Sequence, residues 1–248
     1  AYYPHVGGAE IAVKEITDRV PDIEWHMITC ALSPDLPQQE KIGSVHVHRV
    51  SCSKYLFPFV AWRYAHKLHS KTPFDFTWSI MAAYAGFANL FFKMTHANVP
   101  FLLTLQEGDP IEYIKRKVWF IYPLFRLIFK RADKIQAISK FLASFGRDMG
   151  HDKPIEVIAN GVDVSLFSQH ISHEKKSDLS VRMSKKENEI YLVTTSRLVY
   201  KNAVDDIISS LTILPAHISL VIIGKGEEGP RLSEQAERLG VIDRVKFV

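Results

Sequence analysis

Short apolar runs alternating with stretches of helical spacing constrain this chain more than any other feature. Ile23 to Ala31, Val45 to Val50, Phe74 to Ile80, Phe101 to Leu105, Lys134 to Ile138 and Ile155 to Ile158 read as strands. Residues 9–20, 59–70, 81–95, 110–131 and 139–149 read as the helices between them. The first helix carries Ala9, Ala12, Val13, Ile16 and Val20 on one face. Pro123 is expected to kink the 110–131 segment or split it in two. Strands and helices alternating at this spacing imply a mostly parallel sheet covered on both faces.

After Phe167 the character changes. Residues 168–189 are rich in Ser, Lys, Glu and His and read as a linker or exposed loop. The alternation then resumes with strand 190–195, helix 203–214, strand 218–223, helix 228–239 and strand 244–248. The expected organisation is α/β: a doubly wound domain over 1–167, the polar segment 168–189, and about half of a second domain over 190–248. A glycine turn that feeds a helix normally follows a strand, and no strand stands ahead of Gly7-Gly8. The last strand has no helix after it. The chain is therefore expected to be truncated at both ends, its first domain lacking its first strand.

A length of 248 residues accommodates two domains of ordinary size. A formal net charge of +4 is too mild to argue for nucleic acid as a partner. Cys30 and Cys52 read as small, buried residues of a reducing compartment, with a disulfide between them as the second reading. No run reaches the ~18 apolar residues of a membrane span, and the N-terminus lacks a signal-peptide pattern.

The chemistry is concentrated in loops that follow strands, where open α/β sheets bind their ligands. Ser196-Arg197-Leu198-Val199-Tyr200-Lys201 follows the apolar run Ile190 to Val193 and precedes a helical pattern. Arg197 and Lys201 there suit a phosphorylated ligand, or are a pair of solvated surface charges. Gly7-Gly8-Ala9-Glu10 opens a helix and allows close backbone approach of an anion. A tight turn capped by Glu10 explains it as well. Gly224-Lys225-Gly226 follows Leu220 to Ile223 and reads as a phosphate or nucleotide contact, or as a plain helix start. Asp109 and Pro110 read as a helix cap and first helical residue, which leaves Gln106 and Glu107 as candidates to hold a sugar's hydroxyls. Asn160-Gly161 is expected to form a positive-φ turn where the chain leaves the first domain. His46 and His48 are expected to face solvent on a strand, and no metal is expected, since an H-x-H pair has no third ligand in view. Residues 113–131 combine Lys115, Arg116, Lys117, Arg126, Lys130 and Arg131 with six aromatics and no acid. Such a segment lies on an anionic membrane surface, or packs normally with a basic outer face.

Four motifs in this order resemble glycosyltransferase family four, a group of retaining enzymes of GT-B fold. They are Pro4-His5-Val6-Gly7-Gly8-Ala9-Glu10, Ile158-Ala159-Asn160-Gly161-Val162-Asp163 with Phe167, Ser196 to Lys201, and Ile223-Gly224-Lys225-Gly226. The resemblance implies two Rossmann-like domains with the active site in the cleft between them. It implies a hexosyltransferase that uses a UDP- or GDP-linked sugar and a glycan or lipid-linked acceptor, without metal or other cofactor. Arg197 and Lys201 match the pair that grips the donor diphosphate, and Gly8 matches a glycine that approaches it from the first domain. By the same resemblance the protein is cytoplasmic, and peripheral at the inner membrane face if the basic segment binds lipid. Two departures stand out. Gln106 occupies a place where many members carry histidine. Lys201 comes four residues after Arg197 rather than five, and Asn202-Ala203 stand where a glycine usually follows. The family's E-x7-E segment is expected beyond Val248, so the chain as it stands is expected to be inactive. A dinucleotide oxidoreductase would need G-x-G-x-x-G after a strand, and neither glycine turn has that spacing. A non-catalytic, membrane-associated binding protein on the same scaffold is the other alternative.

Overall fold

A computed structural model describes residues 2–4 and 7–248. The chain forms two compact units, residues 1–163 and 164–248. The first contains α1 (Gly8–Arg19), β1 (Trp25–Cys30), β2 (Gln39–Ile42), β3 (Val45–Val50), α2 (Phe57–His69), β4 (Thr77–Ile80), α3 (Tyr84–Thr95), β5 (Phe101–Leu105), α4 (Ile111–Lys117), a 3-10 turn Trp119–Ile121, α5 (Tyr122–Arg131), β6 (Lys134–Ala137), α6 (Lys140–Asp148) and β7 (Ile155–Val157). The second contains α7 (Val164–Phe167), α8 (His173–Arg182), β8 (Ile190–Thr195), a 3-10 turn Tyr200–Asn202, α9 (Val204–Ser210), β9 (Ile218–Ile223), α10 (Gly229–Arg238) and β10 (Val245–Phe247).

In the first unit β4-β5-β6-β7 form a fully parallel sheet. Its core is β5, whose Phe101, Leu103 and Leu105 are completely buried. Phe125, Ile128 and Phe129 of α5 and Leu142 and Phe145 of α6 close over it. Gly86 lets α3 approach this layer, since a Cβ there would sit 3.2 Å from the Ile128 side chain. Asp133 fastens the start of β6 by accepting from the Phe101 amide at 2.8 Å and pairing with Lys93 at 2.7 Å. Burial pushes its carboxyl up, but these two partners outweigh it and hold the group below the usual range.

Where one sheet is expected, the first unit has two. β1 pairs with β3 in parallel, and β2 adds an antiparallel edge to β3 that sequence periodicity does not flag. Gln39, Glu40 and Lys41 are too polar to read as a strand; β2 exists because a turn at Gly43, φ +58, folds it back on β3. Among the described residues, β1 and β4 pair on one side only. Both line a cavity of about 810 Å³ roofed by Val13 of α1, Ala61 of α2 and Ala88 of α3. Under α1 the buried stripe is narrower than its pattern suggests: Val13 and Thr17 are covered and Ile16 is exposed. Val13 alone of its apolar positions joins the cluster with Tyr2, Val45 and Val47.

The second unit has the parallel order β10-β9-β8. Its core gathers Leu198, Val204, Ile208, Leu211, Leu220, Ile222, Leu232 and Ala236. The segment 168–189 is not simply a loop: α8 forms within it, capped by Ser172, which accepts from the Lys175 amide at 3.3 Å. No residue of α8 is buried, so a cap and helix-forming composition shape it rather than an apolar face. The helix expected over 110–131 is broken as Pro123 demands, with the proline in the first turn of α5.

His48 does not face solvent as expected, while His46 is half-buried and stacks on His26 with ring centroids 5.1 Å apart. His48 is buried and stands in a hydrogen-bonded chain. Glu24 Oε1 meets His26 Nε2 at 3.1 Å, His26 Nδ1 meets His48 Nε2 at 3.0 Å, and His48 Nδ1 meets the Tyr64 hydroxyl at 3.0 Å. Gln39 donates to Tyr64 at 3.1 Å. The reason is register: β1 and β3 set His26 opposite His46, and β2 sets Gln39 opposite His48. A second group joins His66 Nδ1 to His96 Nε2 at 3.2 Å, with His69 accepting from the Phe74 amide at 2.8 Å. Burial, then the neighbouring imidazoles, depress the basicity of His48 and His69. No set of three or more His, Cys, Asp or Glu among the described residues is arranged to hold a metal ion. Cys30 and Cys52 are free and half-buried, and the Cys30 thiol donates to the Cys52 carbonyl at 3.2 Å.

Both histidines bind protons less readily folded than unfolded, so their contribution to stability is full above about pH 6.5 and is lost as the pH falls below it. Thermal unfolding followed from pH 7.5 to pH 5 is expected to show this decline, and His48→Gln with His69→Gln to flatten it. An equal slope in the double variant would refute the assignment.

Candidate functional site

The richest loop pair lies in the second unit, at the carboxyl ends of β8 and β9. Leu198 is buried in the core and pins the segment, while Arg197 and Lys201 are exposed on either side of it. The segment is zipped to the turn after β9. Ser196 N donates to Ile223 O at 3.2 Å, Leu198 N to Lys225 O at 3.0 Å, and Glu228 N to Leu198 O at 3.0 Å. Gly224 and Gly226 are what permit this approach. A Cβ on Gly224 would lie 2.0 Å from Ser196 O, and one on Gly226 would lie 2.2 Å from Leu198 O. Gly224 also has φ +151. The structure thus gives these glycines a reason in backbone packing, apart from any ligand. Asn202 Nδ2 donates to Arg197 O at 2.7 Å. The Ser196 hydroxyl is buried without a partner among the described residues. Beneath the loop, Arg231 of α10 bonds Glu228 at 2.6 Å and reaches Asp205 of α9 at 3.3 Å, which braces the two helices that follow the two strands.

In the first unit, Gly7 is the N-cap of α1 in extended conformation, and Ile11 N donates to its carbonyl at 3.1 Å. A Cβ on Gly7 would meet the Glu10 carboxylate at 2.7 Å, whereas one on Gly8 would meet nothing within 4 Å. Glu10 therefore does lie over the turn. His5 and Val6 of the same motif fall outside the described residues.

Gln106 and Glu107 are half-buried just past the end of β5. Glu107 Oε1 accepts from the Ala82 amide at 2.7 Å, and Oε2 is buried without a partner among the described residues. Burial pushes this carboxyl up, against the amides of Ala82, Glu107 and Gln106, which favour its charged form. The tie joins the β5 edge to the β4–α3 loop, where Met81 takes φ +67 and donates to Thr104 O at 2.8 Å. Sequence reasoning missed Met81 and Ala82, because a left-handed methionine leaves no compositional trace. Asn160 and Gly161 are exposed, and neither has positive φ. The expected turn is replaced by an irregular stretch that starts with Ile158 accepting from Gln136 Nε2 at 2.7 Å.

The 113–131 segment divides its aromatics. Phe125 and Phe129 are fully buried, while Trp119 and Phe120 are 74% and 67% exposed. Arg116, Lys117, Lys130 and Arg131 are exposed, and Lys115 is half-covered.

Two family profiles match the sequence: Glycosyltransferase Family 4 over residues 6–166 and Glycosyl transferases group 1 over residues 175–248. The chain is similar to the uncharacterized glycosyltransferase MJ1069 of Methanocaldococcus jannaschii, 27% identical over 262 residues, covering 95% of this chain and 64% of that protein. It thus spans less than two thirds of that relative's length. Among solved structures, Anabaena Alr3699/HepE in complex with UDP superposes with a TM-score of 0.77 at 19% identity, covering 98% of this chain and 65% of that one. A glycosyltransferase of Rickettsia africae superposes at 0.71 with 16% identity, covering 100% of this chain and 66% of that one. The shared architecture is GT-B, with Rossmann-like domains.

The glycine geometry separates three positions. Gly224→Ala and Gly226→Ala are each expected to lower stability by ~1–3 kcal/mol through forced backbone shifts. Gly8→Ala is expected to leave it unchanged or raise it by up to about 1 kcal/mol, since the helix gains a better former. Urea unfolding midpoints of the three variants check this, and equal losses in all three would contradict it.

Proposed function

Because the chain belongs to Glycosyltransferase Family 4, we propose that the protein moves a sugar from a nucleotide-sugar donor to a sugar, glycan or lipid-linked acceptor with retention of anomeric configuration. The observation that carries the reading is the Arg197–Lys201 loop, fixed by buried Leu198 and zipped to the Gly224–Gly226 turn. Such a loop presents two cations from a rigid base, which is what stabilising charge on a leaving phosphate requires. The donor diphosphate is held by Arg197 and Lys201, with Gly224 and Gly226 offering backbone at its approach. Gln106 and Glu107 take hydroxyls on the sugar or acceptor. An acceptor oxygen bonds to the anomeric carbon on the face that the diphosphate leaves. The bond from that carbon to the phosphate oxygen breaks, and the hydroxyl proton passes to the departing phosphate. No enzyme nucleophile takes part, and the two cations supply the charge stabilisation for which other transferases use a metal. The HepE complexes with UDP and UDP-glucose support a UDP-linked sugar as the first donor to test and a GDP-linked one as the second.

The exposed pair Trp119 and Phe120, set beside Arg116 and Lys117, supports peripheral binding to an anionic membrane, with a lipid-linked acceptor reached at that surface. No helix among the described residues is long and apolar enough to cross a membrane.

Losing one charge-assisted phosphate contact of ~1.5–3 kcal/mol should cut turnover roughly ten- to hundredfold. Arg197→Ala and Lys201→Ala in the full-length enzyme, assayed by product formation with saturating donor, are expected to show that loss; wild-type turnover in both sinks the assignment.

For the membrane face, each basic group near an anionic surface contributes ~1 kcal/mol. Co-sedimentation with phosphatidylserine vesicles at low salt should be strong. It should fall on replacing Lys115, Arg116, Lys117, Lys130 and Arg131 by Gln, and also with Trp119→Ser and Phe120→Ser. Absent binding, or binding indifferent to all of these changes, rules the surface out.

A further inference from the structure

We propose that Asn202 is a positioning residue that fixes where Arg197 and Lys201 stand relative to each other, so that the pair meets one diphosphate. The inference rests on the reading of those two cations as the diphosphate grip.

Asn202 lies five positions after Arg197, and the loop between them has only Leu198 buried in the core to hold it. Left to itself, such a loop keeps two long cationic side chains on an adjustable backbone. The structure removes that freedom at both ends. The Arg197 carbonyl accepts twice, from Val199 N at 3.0 Å and from Asn202 Nδ2 at 2.7 Å. Asn202 N in turn donates to Val199 O at 3.0 Å, and Ala203 N to Tyr200 O at 3.1 Å. These bonds wind Tyr200–Asn202 into a 3-10 turn that carries Lys201 at its centre. The turn ends on Ala203, held left-handed at φ 49 and ψ 38, a conformation that favours glycine over a residue with a Cβ. A strained backbone persists where its surroundings over-determine it. Here the Asn202 amide closes the loop from one side, and Val204, fully buried in the core, anchors it on the other. The amide belongs to the loop's own internal bracing, and Arg197 and Lys201 are both exposed. Shortening Asn202 breaks the only side-chain link between the two ends of the loop among the bonds described. Both cations and the core beneath them stay in place.

The probe is UDP, titrated calorimetrically into the protein and into Arg197→Ala, Asn202→Ala and the double variant, with thermal melts on each. The expected result is a roughly tenfold weaker affinity for Asn202→Ala at an unchanged melting temperature. In the Arg197→Ala background the same change should have little further effect, because its role runs through Arg197. A residue that merely stabilised the unit would weaken binding additively and lower the melting temperature. Ala203→Gly, which relieves the left-handed alanine while leaving the amide link, should bind UDP as the unaltered protein does. Should Asn202→Ala fail to fold, Asn202→Ser replaces it, its hydroxyl being too short for the link, and must show the same loss. If Arg197→Ala loses UDP and Asn202→Ala does not, the inference is overturned and the reading of the grip stands. If Arg197→Ala binds UDP normally, the reading itself has failed.

Discussion

The contact on which the site depends is a close approach of two backbones. Residues 196–198 and 223–228 exchange three amide-to-carbonyl bonds, and the separation is so small that a methyl group at position 224 or 226 would collide with main-chain atoms. Backbone packed against backbone leaves no side-chain torsion to relax, so the arrangement transmits position well. Leu198 converts it into a fixed point by joining the same core as Leu220 and Ile222 of the neighbouring strand. Everything exposed on the loop is then referenced to that core rather than to a flexible stem. The brace of Arg231 on Glu228 and Asp205 extends the same logic to the helices that follow.

The first unit is organised differently. Its rigid body is the β5 layer, with Phe101, Leu103 and Leu105 under α5, and its polar groups are satisfied across long sequence separations. Asp133 and Glu107 show two outcomes of one competition. Both carboxyls lose hydration; Asp133 recovers charge stabilisation from Lys93, whereas Glu107 has backbone amides only and is driven upward. A carboxyl in that state, with one oxygen on the Ala82 amide and the other unpartnered among the described residues, is costly to keep in a loop whose sole task is to turn. That cost favours a role for the β5 edge in the function proposed.

The basic segment gains its character from Pro123. By ending one helical piece and starting another, the proline sends α5 into the core through Phe125, Ile128 and Phe129 and leaves Trp119 and Phe120 on the turn before it. The break separates a packing half from an exposed half, and the exposed half carries the basic groups of α4.

Much of this protein was legible in its residues. Apolar runs such as Phe101 to Leu105 and Leu220 to Ile223 announce buried parallel strands because both faces of such strands are covered, and the loops after them announce ligand edges because parallel sheets align their carboxyl ends. Arg197, Lys201 and the glycines at 224 and 226 were visible as types at a spacing. The sequence could not show what depends on register and desolvation. Whether His48 faces water is decided by β1 and β2 settling beside β3, and His48 is buried, linked to His26 and Tyr64. The helix α8 arises in a stretch whose composition reads as a loop, because a serine cap is a local event that periodicity does not weigh. The division of one expected sheet into two came from pairing between strands, each unremarkable alone. Sequence by itself determined the buried strands, most of the helices between them and which loops carry charge, since these follow from burial period and residue type. Only the tertiary structure decided which backbones touch, which carboxyl is stranded and which amide braces the loop, since those follow from distances between residues far apart in the chain.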